Sequence, residues 1–242
     1  MQQKKFAVFD IDGTLVRWQL YHAVADNLVK LGHIDETAYA GVQSARMSWK
    51  RRTDPEAFKQ YEIRLVKAYE ALLQQLTFEQ FQEAANLVFE EYKDQVYTYT
   101  RDLIRNLKNR GYLLFAISNS QIEIVEKIAK YYGFDDCVGA VYEKKGNQFT
   151  GKVTIHLNDK DEVLRRLALK NKADWEDSIA VGDSVSDIPM LKIVEQPIAF
   201  NPEQKLFNIA KQQNWKIVVE RKNVTYELEP NDGRYFLAQT GK

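Results

Sequence analysis

Four consecutive apolar residues, Phe6-Ala7-Val8-Phe9, break off at Asp10-Ile11-Asp12-Gly13-Thr14. A short unbroken apolar run suits a strand buried on both faces of a parallel sheet, and Gly13 supplies the turn at its end. From about Trp18 to Lys93 the period changes, and apolar residues fall three and four apart through four segments, the repeat of amphipathic helices. The first segment, about Leu20 to Leu31, stops at Gly32, and Asp35 opens the second. Asp54-Pro55 reads as an N-cap followed by proline at the first helical position, and Thr77-Phe78-Glu79-Gln80 matches a capping box. A helical block of about 75 residues is too long for a simple connection between strands. It is expected to be an inserted subdomain.

After Tyr97 helix and strand alternate. A helix from about Thr100 to Arg110 ends at Gly111, and the apolar run Tyr112 to Ile117 ends at Ser118-Asn119-Ser120. A helix from about Gln121 stops at Gly133, a short strand follows near Val138 to Tyr142, and Glu143 to Ile155 reads as a hairpin. A helix over Asp161 to Lys170 leads to the strand Ser178 to Val181, which ends at Gly182-Asp183-Ser184-Val185-Ser186-Asp187. Strands near Pro197 to Phe200 and Lys216 to Val219 flank one more helix, and the polar last 20 residues or so are expected to pack loosely. The fold class that follows is α/β, a doubly wound, mostly parallel Rossmann-like sheet. Residues 1–16 and 95–242 form the core domain, and residues 17–94 form the helical cap.

Composition narrows the partners. The chain has 242 residues, 45% of them apolar, with 34 basic and 34 acidic side chains that cancel. No overall field draws it to nucleic acid or to an anionic membrane. No apolar stretch is long enough to span a bilayer and no signal-peptide pattern is present, so a cytoplasmic protein is expected. The single cysteine, Cys137, excludes an internal disulfide and any multi-cysteine metal site, and is read as a small core residue. Three histidines, His22, His33 and His156, have no ligand spacing. Gly146 to Lys152 fits the opening of a nucleotide-binding loop, but Val153 stands where Ser or Thr is required and no helix follows; it reads as a hairpin turn.

The chemistry lies where the strands end. Asp10 with Asp12, Ser118 with Asn119, and Asp183 with Asp187 each follow an apolar strand, and in a parallel sheet those ends share one edge, where ligands bind. Two carboxylates about 4 Å apart repel by about 4 kcal/mol at an effective dielectric near 20. A divalent cation is the natural partner, and hard oxygen ligands without histidine or cysteine favour Mg²⁺, with Asp10, Asp12, Asp183 and Asp187 as candidate ligands. Such a cluster suits a phosphate group. Asp10 is the candidate nucleophile, forming an aspartyl-phosphate, and Asp12 the candidate acid and base. Ser118 with the amides after it, and Lys160 at the start of its helix, are candidate phosphate ligands. Asp187 is assigned to metal-bound waters or to Lys160.

Together DIDGT, ISNS, Lys160 and GDSVSD resemble the four motifs of the haloacid dehalogenase-like superfamily, in its phosphatase branch. The resemblance spans residues 6 to about 215. It implies an HAD-like core, Mg²⁺ as cofactor, and a phosphomonoester hydrolase acting on a small phosphorylated metabolite. The second aspartate marks the phosphatases of the superfamily. A helical cap inserted after the first motif resembles the phosphoserine phosphatase-like subfamily IB, and makes L-phosphoserine one candidate substrate. Two residues depart from that relative. Gln19 stands where a glutamate reads the substrate amino group, and Ser118-Asn119-Ser120 replaces serine-glycine-glycine. Arg64 lies near the usual carboxylate-binding arginine, so Gln19 and Arg64 are the candidate substrate-reading positions. The competing reading from another class is a phosphate-binding or phosphorylation-dependent switch of the receiver type. It fits less well, because a receiver's acceptor aspartate follows its third strand and Asp10 follows the first.

Overall fold

A computed structural model describes residues 3–52, 54, 56–155, 159–231 and 234–241. Pro55 and His156 lie outside the described residues. The chain divides into two compact units: Met1–Gln19 with Tyr92–Ala140 and Ile155–Lys242, and Leu20–Glu91 with Val141–Thr154. No helix among the described residues is long and apolar enough to cross a membrane.

The first unit is built on a sheet. Its strands are β1 (Lys4–Phe9), β2 (Leu113–Gln121), the first half of β3 (Asp136–Lys145), β5 (Ala173–Gly182), β6 (Gln196–Phe200), β7 (Lys216–Arg221), β8 (Val224–Asn231) and β9 (Arg234–Gly241). They lie in the order β3-β2-β1-β5-β6-β7-β8-β9. All junctions from β3 to β7 are parallel, and the two after β7 are antiparallel. The chain winds outward from β1 to one side and returns to wind the other way from β5. The gap between β1 and β5 is therefore the topological switch point, where an open sheet leaves room for a ligand. Phe9 pairs with both Ala116 and Val181, which aligns the ends of the three strands that carry the polar clusters.

Phe6, Ala7, Val8 and Phe9 are fully buried, as a strand covered on both faces requires. Phe6 and Val8 join Phe115 and Ile117 in a core that includes Val163, Leu164 and Leu167 of α7 (Lys160–Lys170) and Leu206 of α9 (Gln204–Gln212). On the opposite side, Phe9 meets Phe134 edge to face at 5.9 Å. That side is served by α5 (Thr98–Asn109) and by α6 (Ile122–Tyr132), which ends at Gly133 with φ 72°. Cys137 is half-buried rather than a core residue.

The final segment differs from the loose tail expected of it. Val224-Thr225-Tyr226-Glu227-Leu228 alternates apolar and polar residues and pairs antiparallel with β7, the pattern of a strand with one face in contact and one in solvent. Tyr235 anchors β9 by donating to the Trp215 carbonyl at 2.7 Å.

The second unit holds α1 (Leu20–Lys30), α2 (Glu36–Arg51), α3 (Ala57–Leu73) and α4 (Phe78–Tyr92), with the hairpin of β3 and β4 (Gln148–Thr154). Asp35 caps α2 by accepting from the Thr37 and Ala38 amides. Thr77 and Gln80 form the expected reciprocal box at the start of α4, at 3.3 and 2.9 Å. The hairpin groups with these helices, whereas the sequence leaves it with the core. Phe149 packs on Phe78 and Phe81, Tyr142 on Tyr69, and the Phe78 amide donates to the Asn147 carbonyl.

Candidate active site

The turn after β1 is closed by its own backbone. The Leu15 and Val16 amides donate to the Ile11 carbonyl, and the Gly13 amide donates back to Val16. Gly13 has φ +81°, and a Cβ there would lie 2.2 Å from Asp183 Oδ2. A side chain at this position is excluded twice, by backbone conformation and by the carboxylate opposite. Gly182 is similarly confined, since its Cβ would fall 2.4 Å from that of Asp187. Gly13 lets the ends of β1 and β5 approach closely enough for their acids to share a site, and Gly182 lets Asp187 fold back over the end of its own strand.

Lys160, the first residue of α7, is fully buried. Its ammonium donates to Asp10 Oδ1 at 2.7 Å, to Asp187 Oδ1 at 2.6 Å and to the Ile117 carbonyl at 3.1 Å. Asp187 is satisfied on its other side, where Oδ2 accepts from the Asp183 amide, the Ser184 amide and the Ser184 hydroxyl. The Ser184 side of this arrangement is a capping box around the short helix Val185–Asp187. Ser118 donates to Asp12 Oδ2 at 2.6 Å and in turn accepts from the Ser120 amide at 2.9 Å. Thr14 Oγ1 reaches Asp183 Oδ1 at 3.5 Å.

Carboxylate oxygens of Asp10, Asp183 and Asp187 lie within 4.8 Å of one another. Burial pushes the Asp10 carboxyl up to about 8, with the charges of Asp187 and Asp12 adding to the rise and Lys160 opposing it. Asp183 is raised as well, by burial first and then by Asp10 and Asp187. Burial works against the Lys160 charge, but Asp10 and Asp187 outweigh it and hold the ammonium charged. With Lys160 alone bridging Asp10 and Asp187, the raised Asp10 and Asp183 carboxyls show that their full charge needs a further cation beside them. An all-oxygen donor set with excess negative charge fits a hard divalent cation.

Asp10, Asp183, Asp187 and Lys160 are thus brought together, with Asp12 and Ser118 joined beside them. Asn119 Nδ2 lies 3.5 Å from Ser186 Oγ. Gln19 is half-buried in the first unit, and Arg64 is exposed on α3 of the second; neither belongs to this hydrogen-bond network. Thr14, Ser184 and Ser186 had no assigned role in the sequence. Ser184 was findable, because Ser-x-x-Asp is the spacing of a capping box.

The chain belongs to the haloacid dehalogenase-like hydrolase family, whose model matches residues 7–192. It is 28% identical over 127 residues to phosphoserine phosphatase SerB1 of Mycobacterium tuberculosis, a match covering 51% of this chain and 41% of that one. It therefore spans less than half of that relative's length. A match to the phosphoserine phosphatase of Methanocaldococcus jannaschii is 27% identical and covers 82% of this chain and 86% of the relative. Among solved structures, a phospho-aspartyl intermediate analogue of phosphoserine phosphatase aligns with a TM-score of 0.63 at 26% identity, covering 91% of this chain and 95% of the other.

Proposed function

We propose that the chain is a Mg²⁺-dependent phosphomonoester hydrolase that acts on a small phosphorylated metabolite through an aspartyl-phosphate. The observation that carries this reading is the clamp on Asp10, whose Oδ1 is held by buried Lys160 at 2.7 Å beside Asp183 and Asp187. With Oδ1 held, Oδ2 is the oxygen free to attack phosphorus. The new Asp10 O–P bond forms as the bond from phosphorus to the ester oxygen breaks, and the leaving oxygen takes a proton from Asp12. In the second half Asp12 takes a proton from water, whose oxygen attacks the phosphorus, and Asp10 leaves as a carboxylate. Ser118 donates its hydroxyl proton to Asp12 at 2.6 Å and keeps that carboxyl oriented, which leaves the Asn119 amide as the donor suited to a phosphate oxygen. Asp10, Asp183 and Asp187 are the side chains that would hold Mg²⁺, and Asp187 also fixes Lys160 and the loop after β5. Mg²⁺, when bound, supplies neutralisation of the phosphate charge and orientation for in-line displacement.

The named activities of the relatives support phosphate ester hydrolysis, and their substrate makes L-phosphoserine the first compound to assay. Turnover of an aryl phosphate is expected with Mg²⁺, is lost on adding EDTA, and is abolished in Asp10→Asn. A pure wild-type protein that turns over neither the aryl phosphate nor a panel of phosphorylated metabolites would sink the reading.

A further inference from the structure

A hydrogen-bond chain begins at Asp187 and ends on a buried oxygen. Asp187 Oδ2 accepts from the Ser184 hydroxyl at 3.1 Å, Ser184 Oγ lies 2.9 Å from Ser186 Oγ, and Ser186 Oγ lies 3.5 Å from Asn119 Nδ2. Counting protons fixes the directions. A hydroxyl has one proton to donate. Ser184 donates its own to Asp187, so it accepts from Ser186. Ser186 can then only accept at its other side, which turns the Asn119 amide with its N–H group toward Ser186. The carbonyl oxygen Oδ1 points the other way, and it is buried with no hydrogen-bond donor among the described residues.

A buried amide oxygen without a donor is costly, which points to a ligand that brings one. Asn119 follows Ser118, which donates to Asp12, and through Ser186 it is tied to the loop that carries Asp183. An ionised phosphate offers only acceptors to this oxygen. A hydrated cation offers O–H groups, and Mg²⁺ keeps several of its waters when carboxylates bind it. We infer that Asn119 is an outer-sphere residue of the cation site, its Oδ1 accepting a hydrogen bond from a water carried by the cation that Asp10, Asp183 and Asp187 would hold. The inference rests on the cation-dependent reading above. Glycine, which the family resemblance leads one to expect at this position, has no side chain to make such a contact.

Titration of the full chain with Mg²⁺ by isothermal calorimetry tests this, in wild type, Asn119→Leu and Asn119→Asp. Leucine keeps the shape and removes the acceptor, while aspartate keeps an acceptor. The leucine variant is expected to bind Mg²⁺ about 10–100-fold more weakly and the aspartate variant within about threefold of wild type, the range typical of partners that orient metal ligands and waters. Measured from each variant's own melting temperature in EDTA, the Mg²⁺-induced rise is expected to be diminished only in the leucine variant. Should Asn119→Leu fail to melt cooperatively, Asn119→Gly takes its place with the same expected loss. Unchanged affinity on losing the acceptor overturns the inference, as does an aspartate variant as weak as the leucine one or a wild-type chain that binds no Mg²⁺. Wild-type protein that binds Mg²⁺ yet hydrolyses no phosphate ester would refute the hydrolase reading alone, because the calorimetry requires no turnover.

Discussion

Replacing Lys160 by methionine keeps the length of the side chain and removes the charge that two buried acids face. The ammonium lies 2.7 Å from Asp10 and 2.6 Å from Asp187. At an effective dielectric near 20 each pair is attracted by about 6 kcal/mol, against several kcal/mol for burying each charge. The net value of the cluster is therefore modest, but taking away one partner leaves the acids stranded. Loss of one partner from a buried pair costs about 3–5 kcal/mol. For a chain of this size that corresponds to a fall in melting temperature of about 6–20 °C. Urea denaturation of wild type and Lys160→Met in EDTA at pH 8 measures the difference. The deficit is expected to shrink toward pH 5, where Asp10 carries a proton and no longer needs the ammonium. A loss below about 1 kcal/mol, the scale of an exposed ion pair, would show that Lys160 does not hold the acids together.

Three further outcomes follow from named contacts. Gly13→Ala places a Cβ against Asp183 at a backbone φ of +81°, so it is expected to weaken Mg²⁺ binding at least about tenfold and to destabilise the fold by about 1–2 kcal/mol; unchanged Mg²⁺ affinity by calorimetry would contradict the close approach of the two strand ends. In metal-free protein the Asp10 carboxyl titrates at about 8 against an ordinary 3.8, so within that window the folded chain holds a proton that the unfolded chain releases. Stability is then lost as pH rises from about 4 to 8, by at most about 1.4 kcal/mol per pH unit for one proton, and Asp10→Asn should lack that slope in melting scans. Glu220 is buried on β7 and accepts from Arg17 at 2.5 Å and from the Thr98 and Tyr99 amides at 3.1 and 2.8 Å, capping α5. Glu220→Ala is expected to cost about 3 kcal/mol and Glu220→Gln about half of that in urea denaturation; equal losses would show that its charge plays no part.

The strand ends were legible in the sequence because each buried strand is a short apolar run with an abrupt polar stop, and a parallel sheet gathers such stops on one edge. The helical segments from Trp18 to Lys93 were legible from their period and caps, and Asp35 and Thr77 cap as their residue types require. The grouping of Val141–Thr154 with those helices was not. It depends on long-range contacts such as Phe149 with Phe81 and Asn147 with Phe78, which no local pattern marks. β8 and β9 were not legible as buried strands because polar and charged residues interrupt their apolar positions; the alternation Val224, Tyr226, Leu228 marks a strand exposed on one face. Lys160 could be assigned by its place in the motif order, but its complete burial could not, since a lone lysine in a polar stretch ordinarily reaches solvent. Asn119 reads as a departure from a glycine motif in the sequence. Only the direction of the Ser184–Ser186 hydrogen bonds turns that departure into an oriented acceptor.

The proposed hydrolase turns on a bond between Asp10 Oδ2 and phosphorus. Acid quench of the full chain during turnover of a ³²P-labelled monoester in Mg²⁺, followed by peptide mapping, tests it directly. Label released by hydroxylamine and located on the peptide that contains Asp10, present in wild type and absent from Asp10→Asn, is the expected result. Turnover without labelled protein, or label that persists in Asp10→Asn, would contradict it.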